Sequence, residues 1–284
     1  MNSHSDFVFE SRFSNNSVIV LDALRSSDMQ TARRLEEALF PLKHEDGTAY
    51  CRIIKTPDRQ SFISTLQSIE EECRLGLKPI LHIEAHGDKV AGLEIGDQQE
   101  VVIWQELENE LTKINKSTGN NLGVVLATCW GLYAISPLKI YNPSPYFFLI
   151  GPDKIVSAGY IDDQMKEFYK TLFNSSSLDA AMVKVAQEFK QYHSEQFFCH
   201  VFATYLRNGC MGKGAASRVE RLLSEAIERG ASNNRETRRK FRRSTRSSVK
   251  PSKETFTRHA HLFLHGKVPV SYESLLQFVQ KSAA

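Results

Sequence analysis

Residues 79–88 read PILHIEAHGD, and residues 122–131 read LGVVLATCWG. In each, a short apolar run stops abruptly on a side chain able to do chemistry. The runs 79–85 and 122–127 read as buried strands. They exit into His86-Gly87-Asp88 and into Thr128-Cys129-Trp130-Gly131. Further β-branched or aromatic runs lie at 17–21 (SVIVL), 51–54 and 144–150 (SPYFFLI). Between them the apolar spacing changes to that of helices. Ala32, Leu35, Leu39 and Phe40 form one stripe, with Ser26 and Ser27 as N-cap candidates and Gln30 completing a capping box. Pro57 opens a second helix carrying Phe62, Ile63, Leu66 and Ile69. Trp104, Leu107, Leu111 and Ile114 mark a third. Residues 92–97 and 100–103 read as a hairpin beside the main sheet.

Strands alternating with helices predict an α/β fold: a mainly parallel sheet covered by helices on both faces, with right-handed crossovers. Sites in such sheets form at the carboxyl ends of the strands. His86 and Cys129 both fall just past such ends.

The remainder is less regular. Residues 168–172 and 178–189 read as helices, the second capped by Ser177. Residues 197–206 fit strand or helix. Residues 215–229 form an amphipathic helix with Val219, Leu222, Leu223 and Ile227. Residues 232–252 read as a polar, basic, mobile tract, 258–265 as a strand and 271–279 as a closing helix.

A chain of 284 residues with 41% hydrophobic content can bury one sizeable core and a smaller appended one. The net charge of +3 is unevenly placed. Residues 235–250 hold eight Lys/Arg and one Glu, so this tract's +7 leaves −4 on the rest. The overall charge is therefore no argument for nucleic-acid binding by the whole chain. Residues 1–14 have no basic start, apolar block or small-residue cleavage site, and runs such as 146–150 are too short to span a bilayer. A cytoplasmic protein without a membrane partner is expected. Five cysteines, an odd number without CxxC or zinc-type Cys/His spacing, argue against a disulfide framework or a structural zinc.

A thiol at a strand exit followed closely by glycine suits nucleophilic attack on a carbonyl, with an imidazole to move the proton. Backbone N–H groups must then face the developing oxyanion. Cys129 is the candidate nucleophile and His86 the acid–base partner; the amides of Gly87 and Cys129 are the oxyanion candidates. Trp130 can wall the binding cleft.

Strand-His86-Gly87, a helix, then strand-Ala127-Thr128-Cys129-Trp130-Gly131 resembles the caspase and metacaspase superfamily, including its clostripain-like and bacterial CHAT branches. His86 and Cys129 are 43 residues apart, near the roughly 50 of the caspase signature Q-A-C-x-G. The C-x-G part matches, whereas Ala127-Thr128 replaces Q-A. Residues 92–107 (GLEIGDQQEVVIWQEL) look like the hairpin-then-helix insert of CHAT domains, and FYKTL at 168–172 and SLDAA at 177–181 look like their closing segments. The resemblance covers residues 15–192. It implies a caspase-like α/β/α sandwich over 1–194 with a C-terminal α-rich extension over 195–284. It further implies a Cys–His endopeptidase without a cofactor or metal, acting on a protein or peptide substrate and held for an activating ligand or partner. By analogy the substrate would belong to an antiphage or cell-death pathway. Metacaspases place an acidic S1 residue two positions before the cysteine; here Ala127 stands there. An acidic pocket would then draw on Asp88, Asp153, Asp162 or Asp163.

Two other functions compete: a catalytically silent caspase-fold binding module, and a nucleic-acid-associated regulator acting through 235–250. The basic tract itself reads as a solvated linker, a polyanion contact or a protease-sensitive loop. His82, on the same side of its strand as His86, reads as a core histidine rather than a supporting partner. Cys51 and Cys73 read as structural thiols. Cys199-His200 and Cys210 fit no metal motif. His259, His261 and His265 would share a strand face but lack an acid or thiol to complete a metal site. His265-Gly266 follows Cys129 in the chain, against the family order.

Overall fold

The computed structural model describes Phe7 and residues 10–281. Much of the leader reading of residues 1–14 therefore lies outside the described residues. Among the described residues the chain divides into two compact units, Arg12–Ser194 and residues 195–281, the latter grouping with Phe7 and residues 10–11.

The first unit contains β1 (Ser17–Asp22), β2 (Cys51–Lys55), β3 (Pro79–Glu84), β4 (His86–Asp88), β5 (Gly92–Ile95), β6 (Glu100–Val102), β7 (Gly123–Ala127), β8 (Phe148–Pro152) and β9 (Phe189–His193). Its helices are α1 (Thr31–Leu39), α2 (Arg59–Arg74), α3 (Trp104–Ser117), α4 (Ala158–Ser175) and α5 (Leu178–Val185). Six strands form a central sheet in the order β2-β1-β3-β7-β8-β9. The first five are parallel and β9 is antiparallel. Every residue of β1, β3, β7 and β8 is buried, which is why these strands read as continuous runs rather than alternations.

Alternate residues of the sheet serve different faces. Val18, Val20, Ile80, Val125, Phe148 and Ile150 join one core with α1, α4 and α5. Ile19, Leu21, Leu81, Ile83, Val124 and Leu126 are equally buried but point the other way, toward the side supplied by Phe62, Leu66 and Ile69 of α2 and Leu107 and Leu111 of α3. α1 carries the chain toward β2, whereas α2 and α3 carry it in the opposite direction across the sheet. Helices on opposite faces are what right-handed crossovers require. The fold is thus α/β, mainly parallel, and compatible with an α/β/α sandwich.

Several local expectations change. Residues 178–189 are not one helix: α5 stops at Val185, and 189–193 return as the antiparallel edge strand β9. The hairpin gains a third strand, because His86–Asp88 pairs with β5. Ser27 does not cap α1. Gln30 occupies the N-cap without a side-chain bond, and Ser26 instead bonds Asp97. α2 starts from a capping box between Asp58 and Ser61 rather than from Pro57.

The second unit is helical: α6 (Ser194–Tyr205, its first residue belonging to the first unit), a π-helical turn Leu206–Cys210, α7 (Gly212–Glu228), α8 (Arg235–Ser248), α9 (Lys253–Phe263) and α10 (Tyr272–Lys281). The ambiguous segment 197–206 is helical. Within the tract 232–252 the chain forms α8 rather than an irregular linker. Asn234 caps α8 by accepting from the Thr237 N–H at 2.8 Å, and Thr245 and Val249 are buried. Residues 258–265 are not a strand, because Phe256, Ala260 and Phe263 recur at helical spacing and bury one face of α9. Phe198, Phe202 and Phe256 form an aromatic core, with ring centroids 5.1 and 5.4 Å from Phe256. Among the described residues, no helix is long and apolar enough to cross a membrane.

Candidate active site

β3 and β7 are adjacent parallel strands, and their register ends on Glu84 opposite Ala127. His86 and Cys129 each lie two residues beyond that pair, so the two strand exits leave the sheet at one level. Gly87 is pressed onto the cysteine segment. A Cβ there would stand 2.1 Å from the Cys129 carbonyl oxygen and 2.4 Å from Thr128 Oγ1. Only glycine permits this approach.

The His86 ring is held from the loop after β1. Its Nε2 lies 2.8 Å from Asp28 Oδ2. That carboxylate also accepts from the Arg25 N–H at 2.9 Å. Partial burial raises the Asp28 pKa, but the His86 bond and then the Arg25 N–H outweigh it and leave the pKa below the ordinary aspartate value. Asp28 is thus an acceptor, Nε2 carries the hydrogen, and in the neutral ring the lone pair sits on Nδ1. The loop is tied down elsewhere. Arg25 pairs with Glu94 of β5, Ser26 donates through N–H and hydroxyl to Asp97, and the Gly96 N–H donates to the Ala23 carbonyl at 2.9 Å. Glu94 is the β5 partner of His86. Loop and hairpin therefore brace the histidine from two sides. Strand order reverses between β1 and β3, and the Asp28–His86 contact spans that switch point.

All five cysteines are free, and Cys129 alone is not buried. Burial pushes the thiols of Cys51, Cys73 and Cys199 up to about 12, which makes them poor nucleophiles. The Cys129 sulfur rests on the loop between β8 and α4. The Val156 N–H points at it from 3.5 Å, and the thiol faces the Val156 carbonyl at 3.7 Å. Trp130 follows in the left-handed region at φ 60°, an uncommon conformation for a bulky residue. Its N–H donates to the Lys154 carbonyl at 3.1 Å. Behind the turn, Gly131 and Gly151 meet so closely that a Cβ on Gly151 would stand 2.8 Å from the Gly131 carbonyl carbon. The Trp130 ring packs edge-on against Tyr133, and Lys89 lies 5.6 and 5.1 Å from the two rings.

The exits of β3 and β7 come together, but the His86 and Cys129 side chains face different partners. Among the described residues, no hydrogen bond joins the His86 ring to the Cys129 sulfur. Of the oxyanion candidates, Gly87 sits in β4 opposite Leu93. Among the described residues, no acceptor takes the Cys129 N–H.

The acidic candidates separate. Asp88 is spent on its own turn, accepting from the Val90 and Ala91 N–H groups at 2.7 and 2.8 Å. Asp162 pairs with Arg34 and Lys166 at 3.0 and 2.7 Å. The side chains of Asp153 and Asp163 hold neither a hydrogen bond nor an ion pair among the described residues, and only Asp153 lies next to Lys154, whose carbonyl meets the cysteine turn.

His82 is sealed in the core. Its ring nitrogens lie 3.1 Å from Tyr169 OH and 3.1 Å from Glu84, which in turn bonds the Thr31 hydroxyl. His259 bonds the Thr255 carbonyl within α9 at 2.8 Å, so the strand face once suggested for His259, His261 and His265 does not exist. Among the described residues, no group of three or more His, Cys, Asp or Glu could hold a metal ion.

Sequence reasoning missed Asp28 and Val156. Both lie in loops at carboxyl ends of strands, where sites are expected. An acid in the loop after β1 was the available signal, but it acquires meaning only once β1 is known to neighbour β3. No family model matches the chain, and no curated protein matches it.

Proposed function

We propose that this chain is a caspase-like cysteine endopeptidase, with Cys129 as nucleophile and His86 as acid–base partner. The observation that carries this reading is the register of β3 on β7. It delivers an imidazole and the one unburied thiol to a common level on neighbouring strand exits, with the Gly87 backbone against Cys129.

In this reading, His86 Nδ1 takes the Cys129 thiol proton, and the resulting thiolate attacks the scissile carbonyl carbon and pushes its π electrons onto oxygen. The N–H groups of Gly87 and Cys129 hold that oxyanion. As the oxyanion collapses, the C–N bond breaks and His86 gives the leaving amine its proton, leaving a thioester on Cys129. Water then attacks the thioester, with His86 taking its proton; the C–S bond breaks, the carboxylic product leaves, and His86 returns the proton to the Cys129 sulfur. Asp28 is a positioning residue that holds Nε2–H and presents Nδ1 as the base. With the thiol on Val156, this reading requires the Cys129 side chain to turn toward His86 before the cycle starts, the step on which an activating ligand or partner would act.

The test is hydrolysis of fluorogenic peptides with Arg, Lys, Asp or Leu at P1 by wild type, Cys129→Ala and His86→Ala. Cleavage lost in both variants supports the reading. Cleavage retained in Cys129→Ala overturns it. If Arg or Lys is preferred, Asp153→Asn should lower kcat/KM for that residue selectively.

A further inference from the structure

The peptidase reading leaves α8 without a role. Its sequence, RETRRKFRRSTRSS, holds seven Lys/Arg and one acid in fourteen residues. At about 100° per residue, Arg235, Arg239, Arg243 and Arg246 fall within an arc of about 80° and extend about 16 Å along the helix. All four are exposed, and among the described residues none holds an ion pair or side-chain hydrogen bond. Their neighbours are occupied. Arg242 makes a two-pronged contact with Glu220 of α7 at 2.7 Å on each oxygen, and Arg238 donates to Asn233 at 2.7 Å. The pull of Arg242, with Arg238 and Arg246 beyond it, holds the Glu220 carboxyl below the ordinary range. The buried Thr245 and Val249 set how α8 is rotated, which leaves the four arginines exposed and without an ion pair. Arg246 and Lys250 continue the row onto the rim of a cleft of about 770 Å³ beside α7.

Unpaired like charges three and four residues apart repel one another and destabilise a helix. A polyanion removes that repulsion. Steps of four residues advance about 6 Å, which matches roughly every second phosphate of one strand at about 3.4 Å per nucleotide. An interfacial membrane helix needs an outward apolar face, whereas Val249 is buried and Phe241 half-buried. No aromatic of α8 is fully exposed for base stacking, the main device of single-strand binding. We propose that α8 is a binding surface for the phosphate backbone of duplex nucleic acid, independent of base sequence. This inference goes beyond the peptidase reading and does not rest on it.

Fluorescence anisotropy of the full chain with a labelled duplex DNA of about 20 bp, titrated between about 50 and 200 mM NaCl, tests it. Four contacts predict a log–log salt slope of about −3 to −4, equal for two unrelated sequences. The triple variant Arg239→Ala, Arg243→Ala, Arg246→Ala should weaken binding at least about tenfold and reduce the slope by between about two and three, while the Arg→Lys triple restores both. Circular dichroism should be unchanged, because the three side chains are exposed. Absence of binding at about 50 mM salt overturns the proposal, as does a slope indifferent to the triple variant. Capture of phosphatidylserine vesicles or an acidic peptide in preference to the duplex also overturns it.

Discussion

His82 and His86 stand four residues apart, one within β3 and one just past its end, and their surroundings differ in every respect that matters to chemistry. The His82 ring is fully buried, lies between Tyr169 and Glu84, and touches nothing that a substrate could reach. The His86 side chain is 44% exposed, is held by a carboxylate on one nitrogen, and sits beside a turn that ends in a thiol. The cysteines repeat the contrast. Cys51 and Cys73 are sealed and hard to ionise, whereas Cys129 is only half-buried at the end of β7. Residue type sets what a side chain can do, and its position relative to the carboxyl edge of the sheet decides whether it does it.

Substitutions on the two sides should separate cleanly. The largest effect is expected at Cys129. Cys129→Ala should lower peptide hydrolysis by more than about 1,000-fold with little change in melting temperature. Cys73→Ala should do the reverse, costing about 1–2 kcal/mol of stability while leaving kcat/KM intact. Next comes Gly87→Ala. Its methyl group would collide with the Cys129 carbonyl, and either backbone must move, so a loss of about 100-fold in kcat is expected with a smaller rise in KM. Equal losses of hydrolysis in Gly87→Ala and in a distant surface variant would break the comparison.

Smaller effects follow from the polar contacts. Tyr169→Phe leaves the buried His82 ring one partner short and should cost about 1–2 kcal/mol, read by urea denaturation, with peptide hydrolysis unchanged. Asp28→Asn should lower kcat about tenfold by loosening the His86 ring, and the loss should appear in the pH profile rather than in KM. The same variant has a stability signature. Because the folded Asp28 pKa is lowered, its contribution is present above the unfolded aspartate value and is lost as pH falls through the folded one. Melting temperature against pH should therefore lose part of its acid-side slope in Asp28→Asn. The smallest change, a melting temperature hardly altered, is expected for Arg242→Ala, because its pair with Glu220 is exposed and screened by solvent.

The parallel sheet was legible because its strands are buried on both faces and stand out as runs such as SVIVL and GVVLA. His86 and Cys129 were legible as strand exits for the same reason. Strand order is not written in local pattern, so the proximity of Asp28 to His86 could not be read from either segment. α8 was hidden by composition. Its arginines resemble a solvated linker, while the features that make it a helix are the Asn234 cap and the narrow seam of Thr245 and Val249. In α9, the spacing of His259, His261 and His265 imitated a strand face; the spacing of Phe256, Ala260 and Phe263 decided for helix once partners were available to bury that face. The antiparallel β9 was absorbed into the preceding helix, because FKQYH continues the apolar spacing of α5 without a strong break.

The most direct test of the Cys129–His86 pairing is covalent labelling by a peptidyl acyloxymethyl ketone, followed by peptide mapping of the adduct in wild type and in His86→Ala. The account predicts a single adduct on Cys129, formed at least about tenfold more slowly without His86. An adduct on Cys199 or Cys210, or equal rates on Cys129 with and without His86, would contradict it.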